Sequence, residues 1–192
     1  MSTAESTPRA RDESTRAMTH ELILIRHAKS DYPAGVADHD RPLNARGMRD
    51  APRIGVWLAG RQASDAKETT CVLVSSARRA QLTWLLASGA MGASTSTWID
   101  SEEPRIYESE ARVLSRVIGE LRESCRNAVL VGHNPGLDDL VAELTDPADL
   151  AASPFRGFRT STIAVLRTED AWPVAASLRG SFRVVDYHVA RG

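Results

Sequence analysis

The sequence predicts an α/β protein with three layers, in which helices cover both faces of a mostly parallel central sheet. Short aliphatic runs recur along the chain, and segments of helical periodicity separate them. This alternation is typical of parallel strands that are joined by crossover helices. The runs are apolar at consecutive positions, which indicates strands buried on both faces of the sheet. A length of 192 residues suits one domain with a tail.

The elements alternate from the first aliphatic run to a final pair of strands, which can pair with each other. The predicted strands cover residues 22–25, 71–75, 96–99, 128–132, 162–166 and 182–189. The predicted helices cover residues 44–59, 78–88, 109–121 and 136–144, and residues 145–161 are predicted to be a long loop. The first three helices have apolar residues at the three- and four-residue spacing of a core-facing side.

Local signals predict where the helices end. Asn44 and Ser109 are expected N-caps, because their short polar side chains can accept a backbone hydrogen bond. Gly60 and Gly89 are expected to end the first and second helices. Pro52 lies inside the first helix and predicts a kink or a later start.

The beginning of the chain differs from the rest in composition. Residues 1–20 are rich in Ser, Thr, Arg and Glu, and Met18 is their only large aliphatic residue after the first position. Such a segment buries too little apolar surface to offset the entropy lost on ordering. We therefore expect a disordered tail over 1–20 and one domain over 21–192, with Met18 as an alternative start of translation.

Composition excludes several classes of partner. The formal net charge is −1 and no basic stripe is evident, which argues against nucleic acid. No apolar run approaches the ~20 residues of a membrane span, and no apolar core of a secretory signal is present. Cys71 and Cys125 lie far apart, with no Cys/His cluster around them. We expect them to be small core residues of a cytoplasmic protein, not zinc ligands.

Polar residues with a common chemistry follow three of the predicted strands. Arg26 and His27 follow the first strand, Arg79 opens the helix after the second, and His133 follows the strand at 128–132. Ligands bind at the carboxyl ends of strands in open α/β sheets, so these four side chains are expected to line one pocket. Arginines can neutralise phosphoryl oxygens while one neutral imidazole attacks phosphorus and the other, protonated, donates a hydrogen bond. Each of these residues alone is commonly just a polar residue at the end of a strand, without a role in function. Their recurrence at three strand ends favours a phosphoryl site.

Two further segments bear on the predicted site. The turn at 134–136 opens a helix whose free N–H groups would favour an anion. The segment Asp38-His39-Asp40 contains metal-ligating residue types, but single-residue spacing in a loop has no set ligand geometry. We therefore expect a solvated loop there and no metal.

Together these motifs resemble the phosphoglycerate mutase-like histidine phosphatases. The family's Arg-His-Gly signature appears here as Arg26-His27-Ala28, and residues 75–83 resemble its second-arginine motif with Arg79, not Arg78, as the arginine. The stretch 131–134 resembles the second-histidine motif. The chain is most similar to the SixA-type phosphohistidine phosphatase branch, and the resemblance covers roughly residues 20–190.

The resemblance implies a role for each matched residue. It makes His27 the phosphorylated nucleophile and gives Arg26, Arg79 and His133 to the phosphate pocket. It implies a phosphoglycerate mutase-like fold and a metal-independent hydrolase with no organic cofactor. Further residues are expected at the substrate, namely Ser30, Arg41 and Asn134.

The family's proton-donating carboxylate has no matching segment in this chain, so Glu108, Asp31 and Asp40 are only candidates for that role. The labile N–P bond of phosphohistidine needs less help from an acid than a phosphate ester does. The expected activity is therefore removal of phosphate from phosphohistidine in a partner protein. A phosphomonoesterase for a small phosphorylated metabolite or nucleotide is the alternative. A non-catalytic phosphate-binding module is less expected, because a binder needs no nucleophile.

Overall fold

The computed structural model describes residues 19–61, 69–92 and 98–191, and it shows one six-stranded sheet with helices on both faces. The strands are β1 (His20–Arg26), β2 (Thr70–Val74), β3 (Trp98–Glu102), β4 (Asn127–Gly132), β5 (Thr162–Thr168) and β6 (Arg183–Val189). The helices are α1 (Ala45–Arg61), α2 (Arg78–Met91), α3 (Ala111–Gly119), α4 (Gly136–Leu144), α5 (Pro147–Ala152) and α6 (Trp172–Ala175). None of the helices described is long and apolar enough to cross a membrane.

The sheet is parallel at its centre and mixed at one side. Its strand order is β3-β2-β4-β1-β5-β6. The first four strands in that order run parallel, β5 runs antiparallel to β1, and β6 runs antiparallel to β5. The predicted three-layer α/β/α sandwich with a mostly parallel sheet is confirmed, as is the pairing of the last two strands.

The sheet divides the core into two apolar clusters. Leu22 and Leu24 of β1 pack in the cluster that includes side chains of α3, α4 and α6. Ile23 and Ile25 pack in the cluster that includes side chains of α1 and α2. Successive side chains of a strand point to opposite faces, so covering both faces requires apolar residues at every position. This is why the strand is a continuous aliphatic run.

The ends of two helices differ from the prediction. The Asn44 cap is confirmed, since its Oδ1 accepts a hydrogen bond from the Gly47 N–H at 3.0 Å. Pro52 does not delay α1, and Gly60 does not end it, because the helix runs on to Arg61. An interior proline costs about 3 kcal/mol, and burial of the apolar side of α1, including Ile54, offsets that cost. Likewise, α2 continues past its glycine at 89 to Met91.

Three further predictions about elements need correction. The N-cap position of α3 is Glu110, not Ser109, whose carbonyl oxygen packs against Gly136. The predicted loop at 145–161 contains α5, whose first turn is capped by the Asp146 carboxylate, a local signal that the sequence prediction overlooked. Strand β3 extends to Glu102, three residues past the predicted end at 99, and residues 93–97, which include the predicted start, lie outside the described part of the chain.

The predicted tail lies largely outside the described residues, which begin at 19. Its expected boundary at residue 20 is one residue too late, because His20 already belongs to β1 and pairs with Thr168 of β5. The division into a tail and one domain otherwise remains our proposal.

Cys71 and Cys125 form a disulfide with a Cα–Cα distance of 5.6 Å. The sequence analysis did not predict this bond, although Cys125 is fully buried, as expected for a small core residue. Cys71 lies in β2, and Cys125 lies just before β4, the parallel neighbour of β2. The strand order brings the two cysteines together, and their sequence separation of 54 gives no indication of this proximity.

The contact between α1 and α2 supplies a test of the packing. A Cβ atom at Gly55 would overlap the Ala87 carbonyl oxygen, whereas none of the described residues has an atom within 4 Å of one at Gly60. Gly55→Ala should therefore lower the free energy of unfolding by about 1–3 kcal/mol or more through overpacking. Gly60→Ala, in the same helix, should leave it unchanged or raise it by up to about 1 kcal/mol. Urea denaturation measures both, and equal effects of the two substitutions would contradict the close helix contact.

Candidate active site

A cleft of about 470 Å³ opens at the carboxyl-end edge of the parallel strands. The segments that follow β1, β2 and β4 line it, together with the turn before α3. Every predicted catalytic and substrate-binding residue contributes to the lining, as does one predicted proton donor: Arg26, His27, Ser30, Arg41, Arg79, Glu108, His133 and Asn134. The other two predicted proton donors, Asp31 and Asp40, do not line the cleft.

The two histidines lie next to each other because the strands that precede them are neighbours. β1 and β4 pair in a register that sets Arg26 beside Gly132, and the His27 N–H donates to the Gly132 carbonyl at 3.1 Å. The residues that follow the two strands, His27 and His133, therefore lie side by side. The His27 and His133 ring centroids are 5.0 Å apart.

The hydrogen bonds of His27 define which ring nitrogen is free to react. Its Nδ1 lies 2.7 Å from the Ala28 carbonyl oxygen, which can only accept, so Nδ1 carries the proton. Its Nε2 then holds a lone pair and accepts from Arg79 Nε at 3.3 Å. Burial, reinforced by His133 and the arginines, lowers the pKa of His27 to about 3. The ring is consequently neutral near pH 7, with its Nε2 lone pair facing the arginine.

His133 is oriented by a serine at the end of β2. Its Nε2 lies 2.8 Å from Ser75 Oγ, while its buried Nδ1 has no partner among the described residues. If the Ser75 hydroxyl donates to Nε2, the proton of a neutral ring lies on Nδ1, as a donor suited to a phosphoryl oxygen. Burial and the charge of Arg79 lower the pKa of His133 to about 3. This lowered pKa favours a neutral His133 near pH 7, in contrast to the protonated second histidine expected from the sequence.

Arg79 lies in the first turn of α2 and reaches across the cleft. Besides its contact with His27, its Nη1 donates to the Asp38 carbonyl at 2.6 Å and its Nη2 donates to Asp38 Oδ2 at 2.9 Å. Only 6% of the residue is exposed. The guanidinium is thus held between the nucleophile candidate and a carboxylate of the loop after β1.

Arg26 and Asn134 meet at one backbone carbonyl. Arg26 Nη1 donates to the Phe158 oxygen at 2.8 Å, and Asn134 Nδ2 donates to the same oxygen at 3.1 Å. Asn134 Nδ2 also donates to Asp138, whose other oxygen accepts from the Phe158 N–H. Arg26 Nε and Asn134 Oδ1 are buried without a partner among the described residues. Arg26 Nε can therefore donate a hydrogen bond to a ligand in the cleft, and Asn134 Oδ1 can accept one.

Arg41 is fixed within the loop that follows β1. It donates to Ser30 Oγ at 2.7 Å, to the Asp31 carbonyl at 2.9 Å and to the Asp38 carboxylate. Its guanidinium also stacks on the Tyr32 ring at 3.5 Å. Arg41 therefore places Ser30 at the cleft in addition to lining the cleft itself.

The three candidate proton donors have different placements. Glu108 lines the cleft, and its backbone has a positive φ of 47°, which is uncommon for a residue other than glycine. Asp31 accepts from the Tyr32 N–H at 2.9 Å, and Asp40 lies 3.2 Å from His39 Nδ1. Both of these carboxylates are exposed and outside the cleft lining.

Sequence reasoning missed Asp38, Tyr107 and Ser75 as parts of the site. Asp38 and Tyr107 come from separate loops, and the Tyr107 hydroxyl donates to Asp38 Oδ2 at 3.0 Å. Ser75 lies in the stretch that resembles the second-arginine motif, and Asp38 lies in the segment Asp38-His39-Asp40, but neither stretch indicated that these two side chains contact the site. Among the described residues, no group of three or more His, Cys, Asp or Glu side chains could hold a metal ion.

Comparison with known proteins identifies the family. The family model described as the histidine phosphatase superfamily (branch 1) matches residues 22–103, which include Arg26, His27 and Arg79. An uncharacterized protein of Mycobacterium tuberculosis is 38% identical over 176 residues, which cover 87% of this chain and all of the relative. The chain belongs to the histidine phosphatase superfamily.

Solved structures place this histidine phosphatase near the SixA-type branch. A protein of Nakamurella multipartitia assigned to the SixA phosphohistidine phosphatases is 26% identical, with a TM-score of 0.71 over 88% of this chain and 95% of that one. A mycobacterial glucosyl-3-phosphoglycerate phosphatase shares the fold at 18% identity, with a TM-score of 0.55 over 87% of this chain and 97% of that one. The protein is accordingly a phosphoric hydrolase of the SixA-like branch.

The protonation state of the two histidines can be measured directly. With pKa values lowered to about 3, both rings should stay neutral above about pH 5 in the folded protein, with the His27 proton on Nδ1. Imidazole nitrogen NMR shifts, assigned with His27→Gln and His133→Gln, report both properties. The unfolded chain binds these protons below about pH 6.5 and the native state does not, so the free energy of unfolding should fall as the pH falls from there towards 3. A folded-state titration of either ring near pH 6.5 would contradict this description.

Proposed function

We propose that this histidine phosphatase removes phosphate from phosphohistidine side chains of a partner protein, through an intermediate phosphorylated on His27. The observation that carries the proposal is the neutral His27 ring, whose Nε2 lone pair lies in a cleft with Arg26, Arg79 and His133. A binding module would have no use for a nucleophile in that state.

The proposed reaction has two displacements at phosphorus. In the first, His27 Nε2 attacks in line and a P–N bond forms. The P–N bond of the substrate breaks, and its imidazole, which already carries a proton on its other nitrogen, takes the bonding electron pair and leaves as a neutral ring. In the second, water attacks the phosphohistidine, releasing inorganic phosphate and returning the lone pair to His27. Charge on the equatorial oxygens is stabilised by Arg26, Arg79 and the Nδ1–H of His133.

The charges around the cleft favour a substrate whose leaving group is not an anion. Glu108, Glu110 and Asp139 line the cleft and form what we term the acidic lip. An imidazole leaves phosphorus readily only when its other nitrogen is protonated, and carboxylates stabilise that positive charge. A sugar phosphate or nucleotide with a second anionic group would be repelled by the same carboxylates.

Glu108 is our proposed proton donor, because it alone of the three candidates lines the cleft. A non-glycine residue held at positive φ occurs often at functional sites. Glu108→Gln should slow a phosphate ester by about 10²–10³ while Glu110→Gln, with the same loss of charge on the acidic lip, should not. Equal losses would remove Glu108 from this role.

A phosphomonoesterase for a small phosphorylated metabolite is the second candidate function. Lys29 also lines the cleft, and among the described residues it has no carboxylate partner within ion-pair distance. Such a cation could bind a second anionic group on a metabolite. The fold shared with a sugar phosphatase is compatible with this activity but does not favour it.

We further propose that the protein works in the cytoplasm. The Cys71–Cys125 disulfide would be unusual there, because cytosolic thiols are kept reduced. A reducing cytoplasm would keep both thiols free, so acid quenching of cells, unfolding and alkylation should find both modified. Unfolding is needed because Cys125 is fully buried in the folded chain. A protein that resists alkylation until it is reduced would argue for an oxidising compartment.

A turnover panel on the full-length protein tests the substrate class. We expect kcat/KM for a protein that carries phosphohistidine to exceed the values for a sugar phosphate, a nucleotide and p-nitrophenyl phosphate by at least about tenfold. Released phosphate is the measured product, and the His27→Ala variant gives the background from spontaneous hydrolysis. A sugar phosphate or nucleotide turned over faster than phosphohistidine would move the assignment to the metabolite phosphatase.

Substitution of Arg79 tests the charge stabilisation. Arg79→Ala should lower kcat by about 10²–10³, which is the effect of removing one preorganised hydrogen-bond donor from the active site of other enzymes. Arg79→Lys should recover little, because an ammonium cannot supply the planar fork of a guanidinium. The matched control is Arg78→Ala, since Arg78 is the exposed neighbour in the same turn. If both alanine variants lose activity equally, the effect comes from the net charge and not from Arg79.

A further inference from the structure

The Asp38 carboxylate lies on the cleft wall against two of the arginines that line it. Its Oδ2 accepts from Arg79 Nη2 at 2.9 Å and from the Tyr107 hydroxyl at 3.0 Å, and its Oδ1 accepts from Arg41. Burial would raise the pKa of Asp38, but the hydrogen bonds from Tyr107, Arg41 and Arg79 lower it, so the group is an anion near pH 7. The cleft therefore already contains a bound carboxylate, supplied by its own chain.

The contact between Asp38 and Arg79 occupies the nitrogen atoms that would bind a phosphoryl group. All three nitrogens of Arg79 are engaged, Nε by His27 Nε2 and the two Nη atoms by the carboxylate and carbonyl oxygens of Asp38. The Arg79 Nε–H lies 3.3 Å from the nitrogen that would attack phosphorus. A phosphoryl group that reaches His27 must therefore displace the Arg79 guanidinium from His27 Nε2. The phosphoryl group would then lie close to the Asp38 carboxylate, which is also negatively charged.

We propose that Asp38 is a resident counter-ion, which the phosphoryl group displaces from Arg79 when the substrate binds. Binding is then an exchange of anions on Arg79, and the cost of releasing Asp38 raises the KM for every phosphorylated ligand. The inference rests on the phosphoryl site of the proposed function, but it does not depend on which substrate carries the phosphate.

The surroundings of Asp38 leave it room to be displaced. Its side chain is 41% exposed, so the carboxylate can turn towards water without crossing the core. The backbone around it is a short 3-10 turn over Asp38–Asp40 in which none of the residues is buried. His39 Nε2 lies 2.9 Å from Ser76 Oγ, which holds this turn near the start of α2. The turn can therefore stay in place while one side chain moves.

The alternative role for Asp38 is to position Arg79 for the phosphoryl group, and the two roles predict opposite signs. Inorganic phosphate binding to the full-length protein, measured by calorimetry near pH 7.5, separates them. Asp38→Asn keeps the shape and removes the charge. A displaced counter-ion predicts phosphate affinity about 10- to 100-fold tighter in the variant. Unchanged or weaker affinity would overturn the proposal in favour of a positioning role.

Asp40→Asn is the matched control, because it removes the same charge from the same turn at a carboxylate outside the cleft lining. We expect it to change phosphate affinity less than about threefold at physiological salt. An equal tightening in both variants would overturn the proposal, since net charge alone would explain it. Failure of both the wild type and Asp38→Asn to bind phosphate would overturn the phosphoryl site as well. A wrong substrate class would leave this experiment unaffected and would appear only in the turnover panel.

Tyr107→Phe gives a second route if Asp38→Asn does not fold. It removes the hydroxyl that donates to Asp38 Oδ2 and leaves every charge in place. A less firmly held carboxylate is easier to displace, so phosphate should bind about two- to fivefold more tightly. Unchanged or weaker binding in this variant would contradict the exchange.

Discussion

The structure depends first on the parallel pairing of β1 with β4. Their register sets Arg26 beside Gly132 and ends with the hydrogen bond from the His27 N–H to the Gly132 carbonyl. A slip of one residue would turn every side chain of a strand to the other face, and the two histidines would no longer meet. On the other side of β4, the Ser75 N–H donates to the Val131 carbonyl at 3.0 Å, which places Ser75 against His133. The site is thus an outcome of strand register.

The chemistry of the site depends on keeping two imidazoles uncharged beside two arginines. Burial and nearby cations both disfavour protonation, and they act together on His27 and His133. A neutral His27 keeps its lone pair, and a neutral His133 adds no further positive charge to a cationic cleft. The carboxylate of Asp38 pairs with Arg41 and Arg79, so part of the positive charge of the cleft is balanced within the chain.

Much of the fold could be predicted from the sequence, because the strands are continuous aliphatic runs and their ends carry polar residues. The same local pattern predicts that Arg26, His27, Arg79 and His133 share one site, and in the structure all four line one cleft. Asp38 could not be predicted as their neighbour, because loop conformation follows no periodicity. The disulfide was missed for a related reason, since only the order of strands makes its two cysteines neighbours. The lowered pKa of His133 could not be predicted either, because it depends on the burial of the ring, which the sequence does not show.

In the proposed reaction, His27 carries the phosphoryl group. The most direct test is to quench the full-length enzyme during turnover of a labelled phosphorylated substrate and to measure phosphate retained on the protein. We expect retained phosphate that is stable in base and labile in acid, located on His27, present in the wild type and absent from His27→Ala. Label that persists in His27→Ala and disappears in His133→Ala would show that the two histidines have exchanged roles, and it would contradict the account.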